Sequence, residues 1–133
     1  MTRLLLFIFL ITAAFTEKGC RNKKKAGHST TGCYKGKLAV KANCMNYTIS
    51  VTGGNMDSSL IETLWTDEST GQKITNAFAL ESKCNFPDSI KEGDEFYFVL
   101  DSTVKQDCAV CMMYYPVPSK KLSIRVINEP CPQ

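Results

Sequence analysis

Seven cysteines are the residues with the clearest chemistry in this chain of 133 residues. Thiols that reach an oxidising compartment form crosslinks, and small extracellular domains use such crosslinks in place of a large core. Three internal bridges would use six sulfurs, so the odd number predicts one sulfur without an internal partner. The cysteines are Cys20, Cys33, Cys44, Cys84, Cys108, Cys111 and Cys131.

The unpaired sulfur is expected near a chain end, because chain ends are exposed and can reach a second molecule. Cys131 is the first choice, since Pro130 and Pro132 hold it extended and away from any strand ladder. Cys20 is the alternative. This thiol is expected to form an intermolecular disulfide in a covalent homodimer, or to stay free and reactive. The pairing of the others cannot be derived from spacing.

The pair Cys108 and Cys111 has the spacing of a redox-active motif. A redox pair needs a helix N-terminus to lower the thiol pKa, whereas the following Met-Met-Tyr-Tyr-Pro sequence favours an extended chain. Zinc would need a second pair of ligands with suitable spacing, and His28 is the only histidine. The sequence therefore predicts structural disulfides to distant partners and no metal site.

Catalytic side chains are scarce. A single histidine disfavours both nucleophilic and histidine-based acid–base catalysis, which leaves paired carboxylates as the remaining route to a hydrolase. The candidate acids stand beside turn signals, where acidic residues usually serve solubility. The chain is therefore expected to be non-enzymatic and to need no cofactor, with a carboxylate hydrolase as the least favoured alternative. The acids are Asp67, Glu68, Asp94 and Glu95.

Asn46-Tyr47-Thr48 is the single N-glycosylation sequon of the chain. Asn46 stands at the head of a predicted strand, where Asn46 and Thr48 share one polar face. A glycan on Asn46 requires that face to be exposed to solvent.

A basic cluster lies between the first two cysteines. It would attract an anionic surface such as a glycosaminoglycan or lipid headgroups, or it is simply a solvated arm. Lys120, Lys121 and Arg125 would extend the cluster if the fold joined the two chain ends. The cluster consists of Arg21, Lys23, Lys24 and Lys25.

Four consecutive residues form the best candidate for a contact surface. Tyrosine and methionine bury a large area with adaptable geometry and are common at the centres of interfaces. They are equally common in cores, so the sequence fits either role. These residues are Met112, Met113, Tyr114 and Tyr115.

The N-terminus has the pattern of a secretory signal. Arg3 precedes an apolar run from Leu4 to Ala14 that is too short to span a bilayer. Small residues favour cleavage after Ala14 or after Thr16, so residues 1–16 are expected to be a signal peptide. Residues 17–133 are expected to form a single domain, and no later segment is apolar enough to predict a membrane anchor.

The charge of the expected mature chain is nearly balanced. Removal of residues 1–16 takes away Arg3 and no acid, which lowers the 16 basic residues to 15 against 13 acidic residues. Domains that track phosphates carry a large basic excess on one face. Nucleic acid is therefore not an expected partner.

Alternation with a period of two predicts strands along most of the domain. Tyr34, Leu38 and Val40 face one way while lysines intervene, and Gly53-Gly54 supplies a turn. The strand from Glu95 to Asp101 is apolar on both faces. No segment has a helical period, so we expect an all-β fold, an antiparallel β-sandwich or small β-barrel. The predicted strands cover residues 34–41, 47–52, 60–66, 74–80, 95–101 and 122–127, and a hairpin joins the third to the fourth.

An immunoglobulin domain does not fit this pattern. Its core tryptophan should follow the first bridging cysteine closely, and a tyrosine should precede the second by two residues. Trp65 instead lies 21 residues after Cys44, and Gln106 precedes Cys108.

The strand Cys33-Tyr34-Lys35-Gly36-Lys37-Leu38, the all-β pattern and the scattered cysteines resemble secreted netrin-like modules, the barrel family that includes tissue inhibitors of metalloproteinases. The resemblance implies a small barrel that acts by binding. In those inhibitors a free N-terminal cysteine chelates the zinc of the target. The same role for Cys20 would require cleavage after Gly19, with charged Glu17 three positions back, which signal peptidase disfavours.

These observations together predict a secreted, disulfide-bonded, non-catalytic glycoprotein that binds an extracellular protein or a glycosaminoglycan. It would act as a ligand, an inhibitor or a toxin-like factor. A barrel that carries a small apolar ligand is the main alternative.

Overall fold

The computed structural model describes residues 32–132, which form seven β-strands and three short 3₁₀ turns. The turns cover Asn43–Met45, Ser58–Leu60 and Lys83–Asn85. The strands are β1 (Cys33–Ala42), β2 (Asn46–Gly53), β3 (Glu62–Thr66), β4 (Lys73–Leu80), β5 (Glu95–Leu100), β6 (Lys121–Leu122) and β7 (Ile124–Ile127). The all-β, disulfide-stabilised fold predicted from the alternation is confirmed.

The strand order closes the sheet into a barrel. The main path runs β3-β4-β2-β1-β5-β7, and β6 returns to pair with β4. Only Ser123 separates β6 from β7. Residues 121–127 therefore form one closing segment, which pairs with β4 through β6 and with β5 through β7. The resulting ring of β1, β2, β4, β6/β7 and β5 has the connectivity of a five-stranded Greek-key barrel of the OB type. The barrel is therefore the correct choice between the two expected architectures.

β6 pairs with β4 in the parallel direction. This pairing lies beside the hairpin of β3 and β4, so the predicted hairpin is confirmed. The backbone N–H of Ala79 donates to the carbonyl of Lys120 at 2.8 Å, and the N–H of Glu81 donates to the carbonyl of Leu122 at 3.0 Å. The outer edge of β4 thus holds β3 along one part of its length and the closing segment along the next.

Two strand predictions differ from the structure by more than one residue at an end. β3 begins at Glu62 rather than Leu60, because Asp57 Oδ1 accepts a hydrogen bond from the N–H of Ser59 and starts a 3₁₀ turn there. The single predicted strand 122–127 is two strands, since its first part pairs with β4 and its second part with β5.

The barrel interior is filled by the apolar residues that the alternation places on one face. Leu38, Ile49, Phe78 and Phe98 are fully buried. The ring of Phe98 lies at its centre, with ring centroids of Tyr34, Phe78 and Phe96 at 5.5, 5.8 and 5.9 Å. Such side chains fill the interior of small barrels. The space that a carrier would need for its ligand is therefore occupied by side chains of the protein itself.

Gly36 allows the close approach of β1 to this aromatic centre. A Cβ atom at residue 36 would lie 2.9 Å from Cε1 of Phe98 and 3.1 Å from Cγ2 of Ile49. The register of β1 against β2 also shifts between Lys35 and Gly36.

Three disulfides cross-link the barrel, and they join Cys33 to Cys131, Cys44 to Cys111, and Cys84 to Cys108. The assignment of Cys131 as the unpaired sulfur is therefore wrong. The extended chain at Pro130 and Pro132 does not lead Cys131 away from the fold; it brings its Cα to 5.4 Å from that of Cys33, at the start of β1. Cys20 lies outside the described residues, as do the predicted signal peptide and His28.

Among the helices of the described chain, none is long and apolar enough to cross a bilayer.

The sequon threonine is buried. Thr48 is fully buried and its Oγ1 has no hydrogen-bond partner, so the expectation that Asn46 and Thr48 share a solvent-exposed face is wrong for Thr48. The reason is that β2 is a central strand, with β1 on one side and β4 on the other.

Replacement of Thr48 by valine is expected to raise the free energy of unfolding of unglycosylated protein by about 1 kcal/mol, because an unsatisfied buried hydroxyl costs about 1–3 kcal/mol. Urea unfolding of protein refolded from bacteria measures this change. Thr48→Ser keeps the hydroxyl and removes a buried methyl group, so it should lower stability. A Thr48→Val variant less stable than the wild type would mean that the hydroxyl has a favourable contact.

Candidate functional site

The longest connection of the barrel lies between β5 and β6. This β5–β6 loop covers residues 101–120 and contains no strand or helix. Loops of this length in a small domain usually have a function. Two disulfides attach the loop to the barrel, through Cys108 to the turn that follows β4 and through Cys111 to the turn between β1 and β2. The two cysteines of the CxxC spacing thus have separate, distant partners, as the sequence predicts.

The middle of the loop is uncharged and exposed. No charged residue occurs from Cys108 to Ser119. The side chains of Met112, Met113 and Tyr114 are 97%, 59% and 85% exposed. We call these three residues the Met–Met–Tyr patch. Three of the four predicted contact residues therefore face solvent, whereas Tyr115 is half-buried and packs against a small apolar cluster on the barrel.

The backbone beneath the patch is held in place at Met113. The side-chain amide of Asn46 donates from Nδ2 to the carbonyl of Met113 at 2.9 Å. The N–H of Met113 donates to Sγ of Cys44 at 3.3 Å, and Nδ2 of Asn43 approaches Sδ of Met113 at 3.7 Å. The patch is therefore presented on a fixed support, and a partner would have less chain entropy to remove on binding.

The support itself contains strained backbone. Cys44 and Met45, in the turn between β1 and β2, have φ angles of +57° and +54°. Such left-handed conformations cost a non-glycine residue about 1–2 kcal/mol. The turn is stabilised by the Cys44–Cys111 bridge and by Nδ2 of Asn46, which also donates to the carbonyl of Asn43 at 3.0 Å.

An open groove of about 550 Å³ lies beside the patch, between this turn and the loop. Lys41 and Tyr47 line its barrel side, and Ala109 and Val110 line its loop side. The ammonium group of Lys41 donates to the carbonyls of Asp88 and Ile90 at 3.1 and 2.7 Å. The ammonium group of Lys41 is thus already engaged in hydrogen bonds within the protein. The pKa of Tyr47 is raised, mainly by burial and secondly by the negative charge of nearby Asp88.

Asp67 anchors the β5–β6 loop at Tyr115, the residue that follows the Met–Met–Tyr patch. Its carboxylate is buried and accepts hydrogen bonds from the N–H of Ser69 at 2.9 Å, from Thr70 Oγ1 at 3.0 Å and from the hydroxyl of Tyr115 at 2.9 Å. Burial alone would raise the pKa of Asp67, but these hydrogen bonds outweigh it and lower the pKa. The hydrogen bond that Tyr115 donates to Asp67 is the main cause that raises the pKa of Tyr115, and burial is the second cause.

The other acids considered for catalysis are separately engaged or exposed. Asp94 Oδ2 accepts from the N–H of Lys91 at 2.8 Å, and Glu95 forms an ion pair with Lys35 at 2.7 Å. Glu68 is exposed in the β3–β4 turn. Within residues 32–132, no group of three or more histidine, cysteine or acidic side chains is placed to hold a metal ion.

The acid stability of the protein should depend on Asp67. Because its pKa is lowered in the fold from an ordinary value of 3.8, its contribution is present at neutral pH and is lost as the pH falls through the folded pKa. Asp67→Asn should therefore cost about 2 kcal/mol at pH 7 and progressively less as the pH falls through the folded pKa, where the wild-type carboxyl takes up its proton. Thermal unfolding from pH 2 to pH 7 tests this, and a pH-independent difference would contradict it.

The basic residues considered for an anionic surface are divided. Arg21, Lys23, Lys24 and Lys25 lie outside the described part of the chain. Lys120 and Lys121 are exposed, whereas Arg125 Nε is 3.1 Å from Asp101 Oδ2 in an ion pair. Arg125 therefore does not extend an unpaired basic patch.

Two parts of the site were not predicted from the sequence. Tyr115 belongs to the anchor rather than to the contact surface, and the Asn46 side chain supports the patch from beneath. The close spacing of Cys44 and Asn46 was the available signal for the second part, because a bridge at Cys44 brings its partner loop near Asn46.

Comparisons of the chain with protein-family models, with curated proteins and with solved structures found no match.

Proposed function

We propose that the protein is a secreted, non-catalytic glycoprotein that binds an extracellular protein through the Met–Met–Tyr patch. The observation that carries this proposal is the exposure of three large, uncharged side chains on a loop attached to the barrel by the Cys44–Cys111 disulfide. Interface cores are depleted in charge and enriched in tyrosine and methionine. A partner with a complementary apolar surface fits this composition.

The proposal of secretion is supported by the N-terminal signal pattern and by the three disulfides, which persist in oxidising compartments. The disulfides and the all-β barrel fit a small extracellular protein. We also propose a relation to netrin-like modules, supported by the Cys33-Tyr34-Lys35-Gly36-Lys37-Leu38 strand.

A covalent homodimer is proposed through Cys20, since the other six cysteines are bonded to one another. Electrophoresis of the secreted protein with and without reductant tests this link. A dimer band that persists in Cys20→Ser, or a strictly monomeric wild type, would contradict it.

The basic arm at Arg21, Lys23, Lys24 and Lys25 is proposed to add attraction to a glycosaminoglycan. Such attraction falls steeply with ionic strength, whereas the contact at the patch should depend little on salt.

Binding through the patch is tested with fluorescently labelled protein on cells and extracellular matrix of the source organism. The double variant Met112→Ser/Tyr114→Ser should bind at least about tenfold more weakly, because central aromatic and apolar contacts often contribute more than 1 kcal/mol each. Leu64→Ser is the matched control, since Leu64 is 57% exposed but lies on β3. Specific binding that both variants retain in full would place the contact elsewhere.

A further inference from the structure

We propose that Asn46 receives its N-glycan before β2 enters the barrel, and that the glycan then displaces the side-chain hydrogen bond that holds Met113. A single modification would thus set how the Met–Met–Tyr patch is presented. The proposal rests on the proposed secretion, because the glycan is added in the secretory pathway, but it does not depend on the identity of any partner.

The first support is the unsatisfied hydroxyl of Thr48. Its Oγ1 is buried without a hydrogen-bond partner, so valine would serve the fold better. The sequon, however, requires a serine or threonine two residues after asparagine. The retention of a destabilising hydroxyl at this position is explained if the sequon is used.

The second support is the position of the sequon in the fold. Tyr47 and Thr48 are buried in a central strand, paired with Lys41 and Val40 of β1, and Thr48 is also paired with Ala79 of β4. A transferase must reach the asparagine and the threonine together on an accessible chain. Transfer therefore has to precede the pairing of β2 with β4.

The chemistry of transfer creates the competition. A bond forms between Nδ2 of Asn46 and the anomeric carbon of a lipid-linked oligosaccharide. The bond from that carbon to the lipid pyrophosphate breaks, and Nδ2 loses one proton to a base of the transferase. In the bare protein both protons of Nδ2 are donated, one to the carbonyl of Asn43 and one to that of Met113. The glycosylated amide keeps one proton and can retain only one of these bonds.

The bond to Met113 is the one that should be lost. Asn43 lies three residues before Asn46 in the same tight turn. Met113 belongs to a loop whose one covalent link to this turn is at Cys111, and its remaining contacts with the turn are weak hydrogen bonds to sulfur. The bulky sugar can move an exposed loop more easily than a turn whose backbone is continuous with β1 and β2. Release at Met113 would give the patch greater local freedom without detaching the loop.

Four full-length chains, secreted from animal cells, test both parts of the proposal: wild type, Thr48→Ser, Thr48→Val and Asn46→Gln. The same four chains behind a heterologous secretion leader give a second set. Intact mass before and after peptide N-glycosidase should show a glycan on the wild type and Thr48→Ser and none on the other two. A wild type with bare Asn46 in the medium of both sets overturns the proposal.

Hydrogen–deuterium exchange over residues 110–116 then separates the states of the loop. Thr48→Val is bare but keeps the Asn46 amide, so it should exchange slowest. The glycosylated wild type and Asn46→Gln should exchange about threefold to tenfold faster, the factor expected for loss of one hydrogen bond. Equal exchange in Thr48→Val and the glycosylated wild type would overturn the competition.

Discussion

Removal of the Cys33–Cys131 bridge is expected to lower the free energy of unfolding by about 3–4 kcal/mol, as measured by urea denaturation of Cys33→Ala/Cys131→Ala. The bridge spans 98 residues, but the Cys44–Cys111 bridge within it already crosslinks 67 of them in the unfolded chain. The Cys33–Cys131 bridge therefore closes an additional loop of about 31 residues, and this closure still removes much conformational freedom from the unfolded chain. It also ties the start of β1 to the C-terminal segment that follows β7. A loss of this size is a large part of the stability of a small domain.

The matched control for this loss is Cys84→Ala/Cys108→Ala. This bridge spans 24 residues, so the same entropy argument predicts a nearly equal loss, within about 0.5 kcal/mol. Losses that differ by more than about 1 kcal/mol would show that contacts in the native state, rather than loop length, decide the contribution of each bridge.

Replacement of Phe98 by alanine is expected to lower the free energy of unfolding by about 3–5 kcal/mol, the usual range for a buried phenylalanine. Phe98 is fully buried, and its ring contacts connect the aromatic side chains of β1, β4 and β5. Gly36 on the neighbouring strand β1 has no side chain to fill the space. Denaturant unfolding, with the near-ultraviolet circular dichroism of the aromatic residues, measures the loss.

Leu64→Ala is the control for Phe98, because Leu64 is large and apolar but 57% exposed on β3. A change within about 0.5 kcal/mol is expected there. A Phe98→Ala variant that unfolds at the wild-type denaturant concentration would mean that the barrel is not centred on this aromatic cluster.

These stability predictions and the proposed function concern different parts of the molecule. The largest losses are expected in the aromatic interior and at the Cys33–Cys131 bridge, whereas the patch lies on a loop attached by the other two bridges. Variants at Met112 and Tyr114 should therefore leave stability nearly unchanged, which makes a loss of binding interpretable.

The sequence alone determined the strands of the barrel and the side chains that fill it. Alternation in β1, and in β2 except at Thr48, correctly separates the more buried from the more exposed positions, because side chains point to opposite faces of a strand in turn. The β3–β4 hairpin was also predictable, since its pairing is local and Ser69-Thr70-Gly71 provides the turn. For Met112 to Tyr114 the sequence left two roles open, an exposed contact surface or a place in the core, and did not choose between them.

Only the tertiary structure decided the long-range pairings. The return of residues 121–127 to both β4 and β5, and the bond from Cys131 to Cys33, join positions far apart in sequence. Local composition carries no signal for such partners, because many pairings satisfy the same residues equally well until the chain closes.

The same reason explains the residues whose roles were mistaken. In sequence, Thr48 alternates with apolar residues, and this alternation predicts an exposed position. In the fold, β1 and β4 flank its strand and Thr48 is buried. Tyr115 follows three exposed residues and was grouped with them, yet its hydroxyl reaches Asp67 across 48 positions of sequence. Burial of a side chain depends on which segments pack over it, and that is settled only when the barrel closes and the β5–β6 loop is bound to it.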